Sequence, residues 1–115
     1  MSTIASLEDG LIAFVKRACP TCTLIEAELQ QAAKAVPGFR VVSQDDPSFP
    51  AGVADVVDDR ELDVSYVHDI EATPTLIAKR AGREVERVVG WERAAWQRLT
   101  GMASLGAALP AMQPG

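Results

Sequence analysis

The stretch Arg17-Ala18-Cys19-Pro20-Thr21-Cys22-Thr23-Leu24-Ile25-Glu26 holds both cysteines of a 115-residue chain. Two cysteines three positions apart close too small a loop to act as a staple. A pair of this kind points instead to redox chemistry or to half of a metal site. Upstream, residues 11–15 read LIAFV, an unbroken apolar run between Gly10 and Lys16. That is the pattern of a strand buried on both faces of a parallel sheet. Downstream, Ile25, Leu29, Ala32, Ala33 and Val36 share one helical stripe, which predicts a helix over about 20–36 ended by Pro37-Gly38. Cys22 lies three residues before Ile25, on the buried stripe. Cys19 precedes Pro20, and proline favours the first helical position. The spacing therefore predicts Cys19 at the helix N-terminus, pointing outward, with Cys22 tucked beneath it.

Further along, residues 39–43 (FRVVS) read as a second strand, which completes a βαβ unit with a right-handed crossover. An acidic stretch follows. Residues 45–71 contain nine acids and one arginine, Arg60. Pro47, Pro50 and Gly52 mark its first part as loop. Asp58 and Glu61 have capping-box spacing, which predicts a second helix with Leu62, Tyr66, Val67 and Ile70 on its apolar side. His68, the single histidine, reads as a surface residue of that helix. Residues 75–78 (TLIA) and 83–89 (REVERVV) read as strands joined by Ala81-Gly82, an antiparallel hairpin with a charged edge. Gly90-Trp91 leads into a helix over about 92–100, with Trp96 and Leu99 turned inward. Residues 102–115 carry no charge and read as a docked tail, an oligomer contact or a linker. The expected division is a domain over 1–101 and a tail over 102–115.

The chain has the length of one domain, and its 48% apolar content suffices for one core. A net charge of −5 argues against nucleic-acid binding, which calls for a basic face. No apolar run approaches the roughly 20 residues that span a bilayer. Glu8 and Asp9 give the N-terminus the wrong polarity for a secretory signal. The expectation is a cytoplasmic protein, where thiols stay reduced.

In this order the marks resemble the thioredoxin superfamily, over roughly residues 10–101. The CxxC follows a buried strand and opens a helix. Thr73-Pro74 places a proline 55 positions after Cys19, at the start of another strand. Gly82 follows Pro74 by eight residues and Gly90 follows Gly82 by eight, as in thioredoxin. The resemblance implies an α/β thioredoxin-like fold: a four-stranded mixed sheet, made of the βαβ unit and the antiparallel hairpin, flanked by about three helices. It also implies that the Thr73–Pro74 bond is cis and faces the cysteines, with the Thr73 backbone open to an extended substrate. Some positions depart from the family pattern. Ala18 stands where thioredoxin has tryptophan before the first cysteine. Pro20-Thr21 replaces Gly-Pro and is closer to the Pro-Tyr of glutaredoxins. Ala13 aligns with thioredoxin's buried aspartate.

The resemblance implies a thiol–disulfide oxidoreductase that reduces protein disulfides, with Cys19 as nucleophile and Cys22 as resolving thiol. A helix N-terminus favours the thiolate at Cys19, and Lys16 and Arg17 are expected to add positive potential. Thr21 is expected to offer its hydroxyl to that thiolate. Pro20, Thr21, Thr73, Pro74, Gly90 and Trp91 are the expected substrate-binding residues, Trp91 serving as an apolar shelf or as core. Glu26 reads as a solvated helix residue or as a base for Cys22. No cofactor and no metal are implied, since one chain offers only two thiolates; two chains together would be needed to hold zinc or an iron–sulfur cluster. The expected partners are protein disulfides and an upstream reductant, thioredoxin reductase or glutathione. Two other readings remain open: a glutathione-dependent, glutaredoxin-like reductase, and a non-catalytic redox-sensing or interaction module.

Overall fold

A computed structural model describes residues 9–115; residues 1–8, and the part of the N-terminal reading that rests on Glu8, lie outside the described residues. The central sheet has strand order β3-β2-β1-β4-β5. Strand β1 (Gly10–Val15) runs at its centre, parallel to β2 (Arg40–Ser43) and antiparallel to β4 (Thr75–Arg80). Strand β3 (Val57–Asp58) adds to the far side of β2, and β5 (Arg83–Val89) closes the other edge. A separate two-stranded ribbon pairs β6 (Trp91–Glu92) with β7 (Met112–Gln113).

The LIAFV run explains the layering. Successive side chains of a strand point to opposite faces. Ile12 and Phe14 join Val42, Val64 and Ile77 on one face. Ala13 and Val15 join Cys22, Ile25, Leu29, Val41 and Trp96 on the other. Each face is covered, so β1 has no polar face to present. The larger layer lies under α1 (Pro20–Leu24), α2 (Glu26–Ala35) and α4 (Arg93–Thr100), which carry the buried Cys22, Leu29 and Trp96. Leu105 belongs to this layer, so the core extends beyond Gly101.

The predicted helix over 20–36 is two helices. Ile25 adopts φ −100° and ψ 17°, and its N–H reaches back to Thr21 O and Thr23 O, which ends the first segment. The stripe survives the break, because Ile25, Leu29 and Ala32 are fully buried. Among the described residues this break brings the helix count to four, and the two-residue β3 raises the main sheet from four strands to five. The hairpin turn follows the sequence closely. Ala81 and Gly82 both take positive φ, the geometry of a tight two-residue connection, and Asp9 accepts from both their N–H groups.

Helix α3 (Asp63–Val67) departs most from expectation. Its cap is Asp59, not an Asp58–Glu61 box. The Asp59 carboxylate accepts from Val64 N, Ser65 N and Ser65 Oγ at 2.9, 2.9 and 2.6 Å. Those bonds turn Val64 and Ser65 inward and send Leu62, Tyr66 and Val67 to solvent, Tyr66 being 84% exposed. His68 is buried rather than superficial. Its Nδ1 lies 2.8 Å from Val64 O, and its ring centroid is 5.4 Å from that of Phe14.

Candidate active site

Strand β1 ends at Val15, and the chain turns through residues 16–18 before α1. Asp45, two residues past the end of β2, holds this turn by accepting from Arg17 N and Ala18 N at 2.7 and 3.0 Å. Nothing in the sequence separates Asp45 from the other acids around it; only the parallel pairing of β1 with β2 brings it there. Arg17 does not face the cysteines with a free charge. Its Nε bonds Asp46 at 2.6 Å, and its guanidinium lies 5.4 Å from the Phe49 ring centroid. Hydrogen bonds from Ser48, then from Arg17, hold the Asp46 carboxyl down at about 2.

Cys19 is the N-cap of α1. Its sulfur accepts the Cys22 N–H at 3.3 Å, the usual way a cap side chain satisfies an open amide of the first turn. The Cys19 thiol also reaches Thr73 O at 3.3 Å, across 54 residues of sequence. Both cysteines are free thiols. Burial pushes the Cys19 thiol up, but hydrogen bonds from the Cys22 thiol and amide, joined by Thr73 and Thr21, bring it below its ordinary value. Cys22 goes the other way. Burial, reinforced by its hydrogen bond to Cys19, pushes it up to about 12. Ala13 is fully buried in the same core layer as Cys22. Glu26 serves neither thiol: its carboxylate accepts from Ala51 N at 2.9 Å.

The Thr73–Pro74 peptide bond is cis, both residues are buried, and Thr73 O faces the Cys19 thiol. Gly90 N donates to Pro74 O at 2.7 Å and ties the two loops together. Gly90 takes φ +82°, a conformation that glycine adopts without strain. Pro20 is exposed at the first position of α1. So Cys19, Cys22, Thr73, Pro74 and Gly90 meet in one place, with Thr21 beside them.

Two expectations fail in detail, and for Trp91 the core reading holds over the shelf. Cys19 is only 5% exposed and does not point freely outward. The Thr21 hydroxyl donates to Pro114 O at 2.6 Å rather than to a cysteine. Trp91 is fully buried, 5.3 Å from Trp96 between ring centroids, so its ring is core and not a shelf. Residues 110–115 return across the site, a course that their lack of charge permits but does not specify. Among the described residues, no group of three or more His, Cys, Asp or Glu side chains is placed to hold a metal ion.

The sheet order, the thiol pair on the first helix after β1 and the cis proline opening β4 together decide the fold. The chain has a thioredoxin fold. A thioredoxin from Fasciola hepatica superposes with a TM-score of 0.58 at 19% identity, over 79% of this chain and 76% of that one. Mitochondrial thioredoxin 3 from Saccharomyces cerevisiae gives 0.58 at 19% identity, over 90% and 85%. Oxidised thioredoxin from Plasmodium falciparum gives 0.57 at 18% identity, over 87% and 85%. No protein-family model and no curated protein matches the chain.

Proposed function

We propose that this thioredoxin-fold chain is a dithiol thiol–disulfide oxidoreductase that reduces protein disulfides. One observation carries the reading: the Cys19 sulfur caps α1 and accepts the Cys22 N–H at 3.3 Å, and the two free thiols have opposite tendencies, Cys19 lowered toward thiolate and Cys22 raised and held as thiol. The thiolate is the attacking species in disulfide exchange. Cys19 attacks one sulfur of the substrate disulfide. That S–S bond breaks, a Cys19–substrate bond forms, and the departing sulfur takes up a proton. Cys22 then loses its proton and attacks Cys19, releasing the second substrate thiol. The substrate gains two electrons and the chain becomes the Cys19–Cys22 disulfide. A reduced dithiol donor such as the thiol form of thioredoxin reductase, which is left as its own disulfide, or two molecules of glutathione, which leave as glutathione disulfide, supplies two electrons and two protons and restores the thiols.

The Cys22 amide bonded to Cys19 is a backbone group and survives side-chain substitution, so the first step can be isolated. Cys22→Ser should accumulate a covalent adduct on Cys19 when mixed with a disulfide-bonded protein, whereas Cys19→Ser should form none. Turnover with thioredoxin reductase against turnover with glutathione separates the thioredoxin-like from the glutaredoxin-like activity. A redox-sensing or interaction module is the second reading, favoured by the 5% exposure of Cys19. Absence of turnover with either donor would select it. The cytoplasm is the proposed setting; among the described residues no helix is long and apolar enough to cross a membrane.

A further inference from the structure

Residues 110–115 occupy the groove beside the cysteines. The backbone of β7 pairs antiparallel with β6, Trp91 opposite Gln113 and Glu92 opposite Met112. Arg93 N donates to Ala111 O at 2.9 Å, and the Trp91 indole N–H donates to Pro110 O at 2.9 Å. The strand then crosses Gly90, where a Cβ would come within 3.1 Å of Gln113 O. Pro114 O accepts the Thr21 hydroxyl. Gly115 sits against the Thr73 carbonyl so closely that a side chain on it would overlap that oxygen. Thr73 O is the carbonyl that the Cys19 thiol reaches, and Thr21 lies between the two cysteines in the first turn of α1. The segment therefore lies where anything approaching that sulfur along the Thr73 loop has to pass.

We infer that this groove is a binding site for an extended, uncharged peptide, that residues 110–115 are its resident occupant, and that disulfide substrates enter by displacing them. The contacts define what fits. They are mainly to backbone: strand pairing on β6, a carbonyl for the Thr21 hydroxyl, and a small residue against Thr73. Main-chain recognition of this kind accepts many sequences and excludes bulk at the last position. The occupant is also lightly held. Pro110, Ala111, Met112, Pro114 and Gly115 are exposed on their outer side, and only Gln113 is half-buried. A segment that buries so little opens by local release rather than by global unfolding. Peptide and segment compete for the same edge, so the segment sets a threshold that a good substrate exceeds.

This inference uses the proposed role of Cys19 for its meaning, but access to Cys19 is measured without turnover. Two full-length variants test it. Thr21→Val removes the hydroxyl that holds Pro114. Gln113→Pro removes the amide proton at the position paired with Trp91. Both should be alkylated at Cys19 by iodoacetamide faster than the parent chain, by about fivefold for the loss of one hydrogen bond from a local opening equilibrium. The rates are compared at their high-pH plateau, so that a changed thiol pKa does not enter. A synthetic Pro-Ala-Met-Gln-Pro-Gly peptide added to Gln113→Pro should slow the reaction again. If Gln113→Pro does not fold, Thr21→Val decides alone. Parent-like alkylation rates in the folded variants overturn the inference. Faster alkylation with no disulfide turnover leaves residues 110–115 as the occupant of the groove and defeats the oxidoreductase reading instead.

Discussion

The Cys19 thiol lies 3.3 Å from the Thr73 carbonyl oxygen, and the Cys22 amide lies 3.3 Å from the same sulfur. One sulfur thus joins the start of α1 to the loop before β4. The contact is possible because β4 pairs with β1, placing Thr75 opposite Phe14. The βαβ unit supplies one wall of the site and the hairpin supplies the other.

The two thiols should separate in a labelling experiment across pH. Cys19 is held below its ordinary value, so its alkylation should reach half its maximal rate at a lower pH than that of an unperturbed cysteine. Cys22 stands at about 12 and should stay unlabelled until the solution is strongly alkaline. The same shifts make opposite contributions to stability. The lowered Cys19 value contributes stability above the unfolded pKa, and that contribution disappears as pH falls through the folded value. The raised Cys22 value contributes stability below the unfolded pKa, and it disappears as pH rises from there toward about 12. Removing Cys22 should therefore flatten the loss of stability above about pH 8.5, by up to roughly 1.4 kcal/mol per pH unit. Denaturant titrations of Cys22→Ala and the parent between neutral and alkaline pH give the two slopes directly.

What lowers Cys19 can be tested by two substitutions with different expected outcomes. Cys22→Ala removes the thiol hydrogen bond but keeps the backbone amide, so the Cys19 midpoint should move up part of the way toward the ordinary value. Arg17→Gln should leave that midpoint in place, because the guanidinium is already paired with Asp46. Its ion pair is exposed and screened by solvent, so stability should change little. A large upward shift in Arg17→Gln would show that long-range charge, and not hydrogen bonding, sets the thiol.

The sequence disclosed the parts of this fold in which chemistry and periodicity coincide. LIAFV was legible as a strand buried on both sides because all five residues are apolar. Ile25, Leu29 and Ala32 were legible because a helix stripe must be apolar to be buried. Cys19, Cys22 and Thr73-Pro74 were legible as motif spacing. Distant partnerships were not. Asp59 resembles its acidic neighbours in sequence, and only the turn after β3 aims it at the amides of α3. His68 reads as polar, yet its imidazole pairs with a helix carbonyl and rests on Phe14, which lets it be buried. The course of residues 110–115 depends on backbone pairing, which leaves no signature in side-chain type.

Gly106 should be intolerant of any side chain. It has φ +64°, and a Cβ there would run into the Trp91 ring at Cζ2 and Cη2. Trp91 is fully buried and cannot swing away without disturbing Trp96. Overpacking a rigid ring costs about 1–3 kcal/mol, and a non-glycine residue in the left-handed region adds about 1 kcal/mol more. For a domain of this size, Gly106→Ala should lower the melting temperature by roughly 10 °C or more. Gly101→Ala is the control, since it shares the positive φ but has nothing within 4 Å of its Cβ position, and it should show the smaller, conformational part of the loss.

Asp59 offers the sharpest test of how α3 is held. The helix has five residues, too few to be stable by themselves, and it lies on the sheet through Val64. Asp59 accepts three hydrogen bonds from that first turn while only 2% exposed. Asp59→Ala leaves two buried amides and a hydroxyl without their acceptor. Loss of a cap with this much burial should cost about 2 kcal/mol. Asp59→Asn keeps one acceptor oxygen in place and should cost less. In urea, both variants should shift the unfolding midpoint with an unchanged slope, because the surface exposed on unfolding is the same. Alkylation of Cys19 should be unaffected, since α3 covers the opposite face of the sheet from the cysteines. An Asp59→Ala chain within about 0.5 kcal/mol of the parent would mean that the helix is held by Val64 packing alone and that the carboxylate is incidental.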